Sequence, residues 1–201
     1  EPMTATPNGF GARVDRFRRP EGVLDPSRVE AALDDRTVLV ALTDRHNPTG
    51  RLADRAALER TAAAATANDA HLLVDEVYAP YVIDERTGPF GGPSGASLEN
   101  AVITGSLTKF FGLGDLRIGW IVGPREFVDR ARRVEEHVPA LARPSTALAR
   151  RFFAHRDDLV HPAVGVERRQ QFLDPFPGNV AVVDEDERLA EVVVGEVPDG
   201  D

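Results

Sequence analysis

The chain has no cysteine among its 201 residues, which excludes disulfides, thiolate catalysis and cysteine-ligated zinc. Lysine is almost missing as well: of 24 basic residues one, Lys109, is lysine and the others are arginine. No apolar run approaches the roughly 20 residues of a bilayer-spanning helix, and these residues hold no signal-peptide pattern. No membrane partner is expected. Net positive charge is lacking too. A formal charge of −9 has the wrong sign for nucleic acid or an anionic membrane surface, where clustered Lys and Arg meet phosphates. The lack of cysteine is compatible with a cytoplasmic location.

What remains is the composition of a globular protein, 42% hydrophobic and 28% charged, enough for one substantial core or one domain with part of a second. An acidic, lysine-poor chain is expected from a GC-rich genome or from adaptation to high salt. Arginine replaces lysine in most ion pairs, but it cannot lose its proton and form an imine. The one retained ammonium is therefore a candidate reactive amine, although a lone lysine is more often chance than chemistry. Its neighbours decide.

Asp25-Pro26 reads as a helix N-cap with proline in the first turn, opening a short helix through about Leu33. The apolar run from Val38 to Leu42 has the pattern of a strand buried on both faces, ended by the turn Asn47-Pro48-Thr49-Gly50. An alanine-rich helix from about Asp54 to Ala67 follows, then a strand over His71–Val74 that ends at Asp75. A Gly- and Pro-rich loop, residues 88–95, precedes a third strand over Ala101–Thr104. Further on come a strand over Ile118–Val122, a helix from Pro124 to about His137, helices near 146–154 and 164–172, and candidate strands at 180–183 and 191–194. Alternation of strand and helix predicts an α/β fold with a mainly parallel sheet, whose ligand crevice lies beyond the carboxyl ends of the strands. Asn47, Asp75 and Ser106 to Lys109 all fall at such ends.

Each polar cluster has a bland reading on its own. Asn-Pro-Thr-Gly is a good turn, and Asp75-Glu76-Val77-Tyr78 is an acidic strand end with a half-buried tyrosine. Ser106-Leu107-Thr108-Lys109 is a polar loop, and Arg117 can pair with any carboxylate. Gly112-Leu113-Gly114 is no dinucleotide fingerprint, because its third glycine is misplaced.

Taken together, in this order and spacing, His46 to Gly50, Asp75 to Tyr78, Ser106 to Lys109, Gly112-Leu113 and Arg117-Ile118-Gly119-Trp120 resemble the fold-type-I, pyridoxal-phosphate (PLP) dependent aminotransferases of classes I and II. The resemblance implies a PLP-dependent transferase-like large domain with a mainly parallel sheet, residues 1–125, and part of a smaller α+β C-terminal domain, residues 126–201. It implies that Lys109 forms the Schiff base with the cofactor aldehyde and later moves a proton between substrate Cα and cofactor. Asp75 would pair with the pyridine nitrogen, and Asn47 and Tyr78 would hydrogen-bond the ring's phenolic oxygen. Arg117, Ser106 and Thr108 would hold the phosphate. Glu76, His46 and Trp120 read as packing or supporting residues, and no metal is expected.

The match runs from about Asp25 to Arg133 and fades on both sides. The family's phosphate-cradling small-residue loop, the aromatic residue that stacks on the ring and the arginine for the substrate carboxylate have no counterpart here. The chain is therefore expected to be a fragment or truncated product of a longer protein. Amino transfer between an amino acid and a 2-oxo acid is the leading reading, with a homodimer implied by the resemblance. A PLP-dependent decarboxylase or lyase of the same fold, or a non-catalytic remnant, are the alternatives.

Overall fold

The computed structural model describes residues 7–81, 94–135, 144, 145, 147, 148, 151 and 181–184. These fall into two compact units. One runs to Glu76 and takes in residues 94–103; the other holds residues 77–81 and the described residues from 104 to 184.

In the first unit, helix α1 spans Pro26–Glu30, and the Asp25 side chain accepts the Ser27 N–H at 3.0 Å. It stops short of Leu33 because Asp34 turns the chain: its carboxylate accepts from Arg36 N and Thr37 Oγ1, an Asx turn that competes with helix continuation. Strand β1, Leu39–Thr43, begins one residue later than its apolar run suggests, and Val38 is half exposed at the strand's mouth.

Helix α2, Arg55–Ala67, is capped by Asp54, whose carboxylate accepts the Ala56 N–H at 2.7 Å. It buries Leu58, Thr61, Ala62 and Ala65, one face at helical spacing. The buried Thr61 hydroxyl costs little, since it donates to Ala57 O at 2.8 Å. Strand β2, His71–Asp75, pairs parallel with β1 in the register Leu39↔His71 to Thr43↔Asp75, so both strands end at the same level. That is the β-α-β unit expected from the sequence.

Two contacts tie the end of β2 to the turn that leads into β3. The Glu76 carboxylate accepts from Gly95 N at 2.7 Å and from Ser94 Oγ at 2.9 Å. Gly95 has no room for a side chain, because a Cβ there would lie 2.7 Å from Ile103 Cδ1. Burial pushes the Glu76 carboxyl above its ordinary value, against the lowering effect of those two hydrogen bonds.

Strand β3, Ala101–Ser106, is buried throughout and extends two residues past the expected end at Thr104. Gly105 continues it rather than breaking it. A Cβ at Gly105 would meet the Trp120 indole at 2.6 Å, so the glycine is there for close approach of a ring. In the second unit β4, Ile118–Val122, pairs antiparallel with β5, Ala181–Asp184, and α3 spans Arg125–Glu135. Leu107 and Ile118 are fully buried, with Phe111, Leu113, Leu116 and Trp120 packed against them. The helix expected near 146–154 has described helical residues at 147, 148 and 151. The helix expected near 164–172, the strand at 191–194 and most of the loop at 88–95 lie outside the described residues.

This packing sets two stability outcomes. Gly105→Ala should lower unfolding stability by about 1–3 kcal/mol through overpacking against Trp120. Gly114→Ala, with open space around it, should shift it by less than about 0.5 kcal/mol, both read from urea denaturation midpoints. For Glu76 the fold favours the protonated form. Its contribution is therefore full below the ordinary carboxyl value of 4.5 and is lost as pH rises through the raised value. Glu76→Gln, which keeps an acceptor for Gly95 N, should gain stability relative to the parent chain as pH is raised from acidic to mildly alkaline. A pH-independent difference in urea midpoint would contradict the assignment.

Candidate functional site

In the first unit the candidate residues sit where β1 and β2 end. Asp44, just past β1, donates its backbone N–H to Asp75 O at 3.0 Å, locking the two strand ends together. Its carboxylate is completely buried: Oδ1 accepts the Ala53 N–H at 3.0 Å and Oδ2 pairs with the guanidinium of Arg45, itself 5% exposed. Arg45 adopts a left-handed backbone, φ 57°, which turns the chain out of the strand direction. The turn that comes next is closed by Gly50 N to His46 O at 2.6 Å and His46 N to Arg51 O at 2.9 Å. Asn47 lies exposed on it, before a cis Asn47-Pro48 bond. Burial, and then the charge of Arg19, lower the His46 imidazole pKa, and its Nδ1 lies 3.0 Å from Thr49 Oγ1. Asp75 is half-buried at the end of β2, level with Thr43.

In the second unit the polar residues gather around one backbone hydrogen bond. Leu107 N donates to Ile118 O at 3.0 Å, so Ser106, Thr108 and Lys109 on one side and Arg117 on the other flank a single junction. Ser106 is 3% exposed; its Oγ lies 2.5 Å from Thr108 Oγ1 and accepts the Thr108 N–H at 3.2 Å. Lys109 is exposed on the loop that Gly112 N to Lys109 O and Leu113 N to Leu107 O fold back on itself. Arg117, also exposed, ends a short 3-10 turn in a left-handed conformation, φ 53°. Tyr78 joins this group through rings. It lies 6.2 Å from Tyr81, which meets Phe110, the residue after Lys109, edge-on at 5.1 Å.

The structure thus groups Tyr78, Ser106, Thr108, Lys109 and Arg117 in one unit and Asn47 with Asp75 in the other. Glu76 and Trp120 act in packing, Glu76 on Ser94 and Gly95 and Trp120 on Gly105. Sequence reasoning missed the Asp44–Arg45 pair, although a charged dipeptide directly after an apolar strand is a visible signal. It also missed Arg19, which donates to Thr43 O at 2.7 Å and Gly22 O at 3.1 Å. No local pattern announces a partner 24 residues away in sequence. Among the described residues no group of three or more His, Asp or Glu is placed to hold a metal, and no helix is long and apolar enough to cross a membrane.

Chemically, the second unit offers two hydroxyls, an ammonium and a guanidinium within one short stretch of chain. That set suits a phosphate and a carbonyl carbon. The profile of aminotransferase class I and II matches residues 8–173. Histidinol-phosphate aminotransferase of Dinoroseobacter shibae is 39% identical over 114 residues, covering 57% of this chain and 30% of the relative. The enzyme of that name from Paracoccus denitrificans is 38% identical, covering 56% and 29%. The chain spans about a third of the length of these curated relatives. Among solved structures, N-succinyldiaminopimelate aminotransferase from Mycobacterium tuberculosis superposes with a TM-score of 0.55 at 25% identity, covering 75% of this chain and 39% of that one. A PLP-dependent aminotransferase from Streptococcus suis gives 0.62 at 22% identity, covering 84% and 43%, a likeness of fold alone. With more than half of its residues inside the matched profile, the chain belongs to the aminotransferase class I and II family.

Proposed function

We propose that this chain carries part of a PLP-dependent aminotransferase, transferring an amino group between an amino acid and a 2-oxo acid. The observation that carries the reading is the grouping of the only lysine with Ser106, Thr108 and Arg117 around the Leu107–Ile118 hydrogen bond. This donor set fits pyridoxal 5′-phosphate: hydroxyls and a guanidinium for a phosphate dianion, and one amine that can lose its proton for an aldehyde. Bound, the cofactor supplies that aldehyde and an electron-withdrawing ring.

The chain's residues then divide the work. Lys109 holds the cofactor covalently and moves a proton at the substrate Cα. Asp75, half-buried at a strand end, keeps a proton on the ring nitrogen. Asn47 and Tyr78 donate hydrogen bonds to the phenolic oxygen. Ser106, Thr108 and Arg117 bind the phosphate. Amino transfer is preferred to decarboxylation or elimination because the family description and the relatives' names are those of aminotransferases. Those names make histidinol phosphate the first amino donor to test. A division near residue 125 into large and small domains, a homodimer and a cytoplasmic location belong to the same proposal.

The test is to mix the protein with PLP in low and high salt, reduce with borohydride and map the adduct by mass spectrometry. A pyridoxyl group on Lys109, absent in Lys109→Ala, is expected. An adduct confined to the N-terminal amine, or none, would overturn the reading. Arg117→Ala should weaken PLP binding by roughly 1.5–3 kcal/mol, about 10- to 150-fold, through loss of charge-assisted hydrogen bonds. Fluorescence titration measures it.

A further inference from the structure

Residues Arg19 to Gly22 lie against the turn that carries Asn47, and the fit leaves no slack. Gly22 is buried with φ +77°, a conformation that L side chains rarely adopt. A Cβ there would lie 2.1 Å from Thr49 Oγ1, 2.9 Å from His46 Nδ1 and 3.1 Å from Arg51 Cβ. The three atoms belong to three residues of one turn, so the Gly22 backbone is a seat against which the whole turn rests. Arg19 holds the seat in place. Its guanidinium donates to Gly22 O at 3.1 Å and to Thr43 O at 2.7 Å, bridging the seat to the last residue of β1. The Nε of Arg19 is buried without a hydrogen-bond partner.

From the turn's side the matching groups are small and directional. Thr49 Oγ1 lies 3.0 Å from His46 Nδ1 and accepts the Arg51 N–H at 3.3 Å, on the flank that faces Gly22. Asn47 itself is exposed, and none of these contacts involves its side chain. Its position is inherited from the backbone of the turn.

We infer that Arg19 and Gly22 are positioning residues that fix the 46–51 turn against the end of β1 and thereby aim Asn47. The inference deepens the reading of Asn47 as a cofactor ligand and rests on it for its functional half. Both act through the turn.

The experiment compares Arg19→Met and, as a second variant at the same contact, Gly22→Ala with the parent chain. Urea denaturation first establishes that each variant folds cooperatively. Hydrogen exchange then reads the turn without any cofactor. The amides of His46 and Gly50 should exchange faster by on the order of tenfold, while the amides of α2 are unchanged. Unchanged exchange at His46 and Gly50 in folded Arg19→Met overturns the inference. The functional half is read on the PLP-loaded chain, from the pH at which the absorption band of the lysine-bound cofactor changes. Arg19→Met should move that midpoint in the same direction as Asn47→Ala, and Arg19→Met/Asn47→Ala should move it no further than Asn47→Ala alone. Full additivity of the two shifts sinks the link to Asn47. If the parent chain takes up no PLP, the reading of Lys109 fails, and the exchange measurement still decides whether Arg19 and Gly22 hold the turn.

Discussion

The first unit depends on how the chain leaves the end of β1. A parallel strand pair ends with polar backbone at one level, and here the residues just past that level, Asp44 and Glu76, are buried. Asp44 resolves the problem with one residue: its N–H goes to the end of β2, and its carboxylate takes up the amide of Ala53 and the guanidinium of Arg45. A carboxylate with no exposure costs several kcal/mol to desolvate, and pairing plus hydrogen bonds offset this. Loss of Arg45 would remove the ion-pair partner and leave Asp44 only the Ala53 amide and the charge of Arg19, a penalty of up to about 3–5 kcal/mol. The same three bonds fix strand spacing, the approach to α2 and the direction in which the chain turns towards Asn47. A stability device and a candidate ligand therefore share one short stretch of chain.

The second unit solves a different problem with close packing. Trp120 lies on Gly105, and Leu107 and Ile118 are sealed by Phe111, Leu113 and Leu116. Leu107 sits between Ser106 and Thr108, and Ile118 directly follows Arg117. Burying Leu107 and Ile118 thus presents Ser106, Thr108, Lys109 and Arg117 together around their shared hydrogen bond. The left-handed backbone at Arg117, which costs about 1–2 kcal/mol in a non-glycine residue, lets the chain enter β4 directly from the turn. Exposed Lys109 and Arg117 are held beside a buried apolar pair.

Much of this was legible in the residues. Aspartates placed before helical segments mark the starts of α1 and α2, because a short carboxylate reaches the first free amides. The apolar runs gave β1, β2 and β4 within a residue, since a buried strand admits little else. Errors fell at the ends of elements: a local turn at Asp34 follows the early end of α1, and Gly105, in the part of β3 beyond its expected end, packs on a tryptophan well beyond it in the chain. Asn47, Asp75, Tyr78, Ser106, Thr108, Lys109 and Arg117 could be named because their motifs, in this order, resemble those of a known family. Arg19 and Gly22 could not, because an arginine on two carbonyls looks like any other arginine.

The sequence by itself determined which residues are able to react or bind: one amine, two hydroxyls, a carboxylate at a strand end, a guanidinium. Side-chain chemistry is a local property and survives in any conformation. Only the tertiary structure decided which buried groups hold those residues in place. The Asp44 bonds to Asp75 and Ala53, the Glu76 bonds to Ser94 and Gly95, and the Arg19 bond to Thr43 each join segments that sequence order keeps apart. Hydrogen bonds and van der Waals fit act over a few ångströms, and such distances between remote segments exist only once the chain has folded.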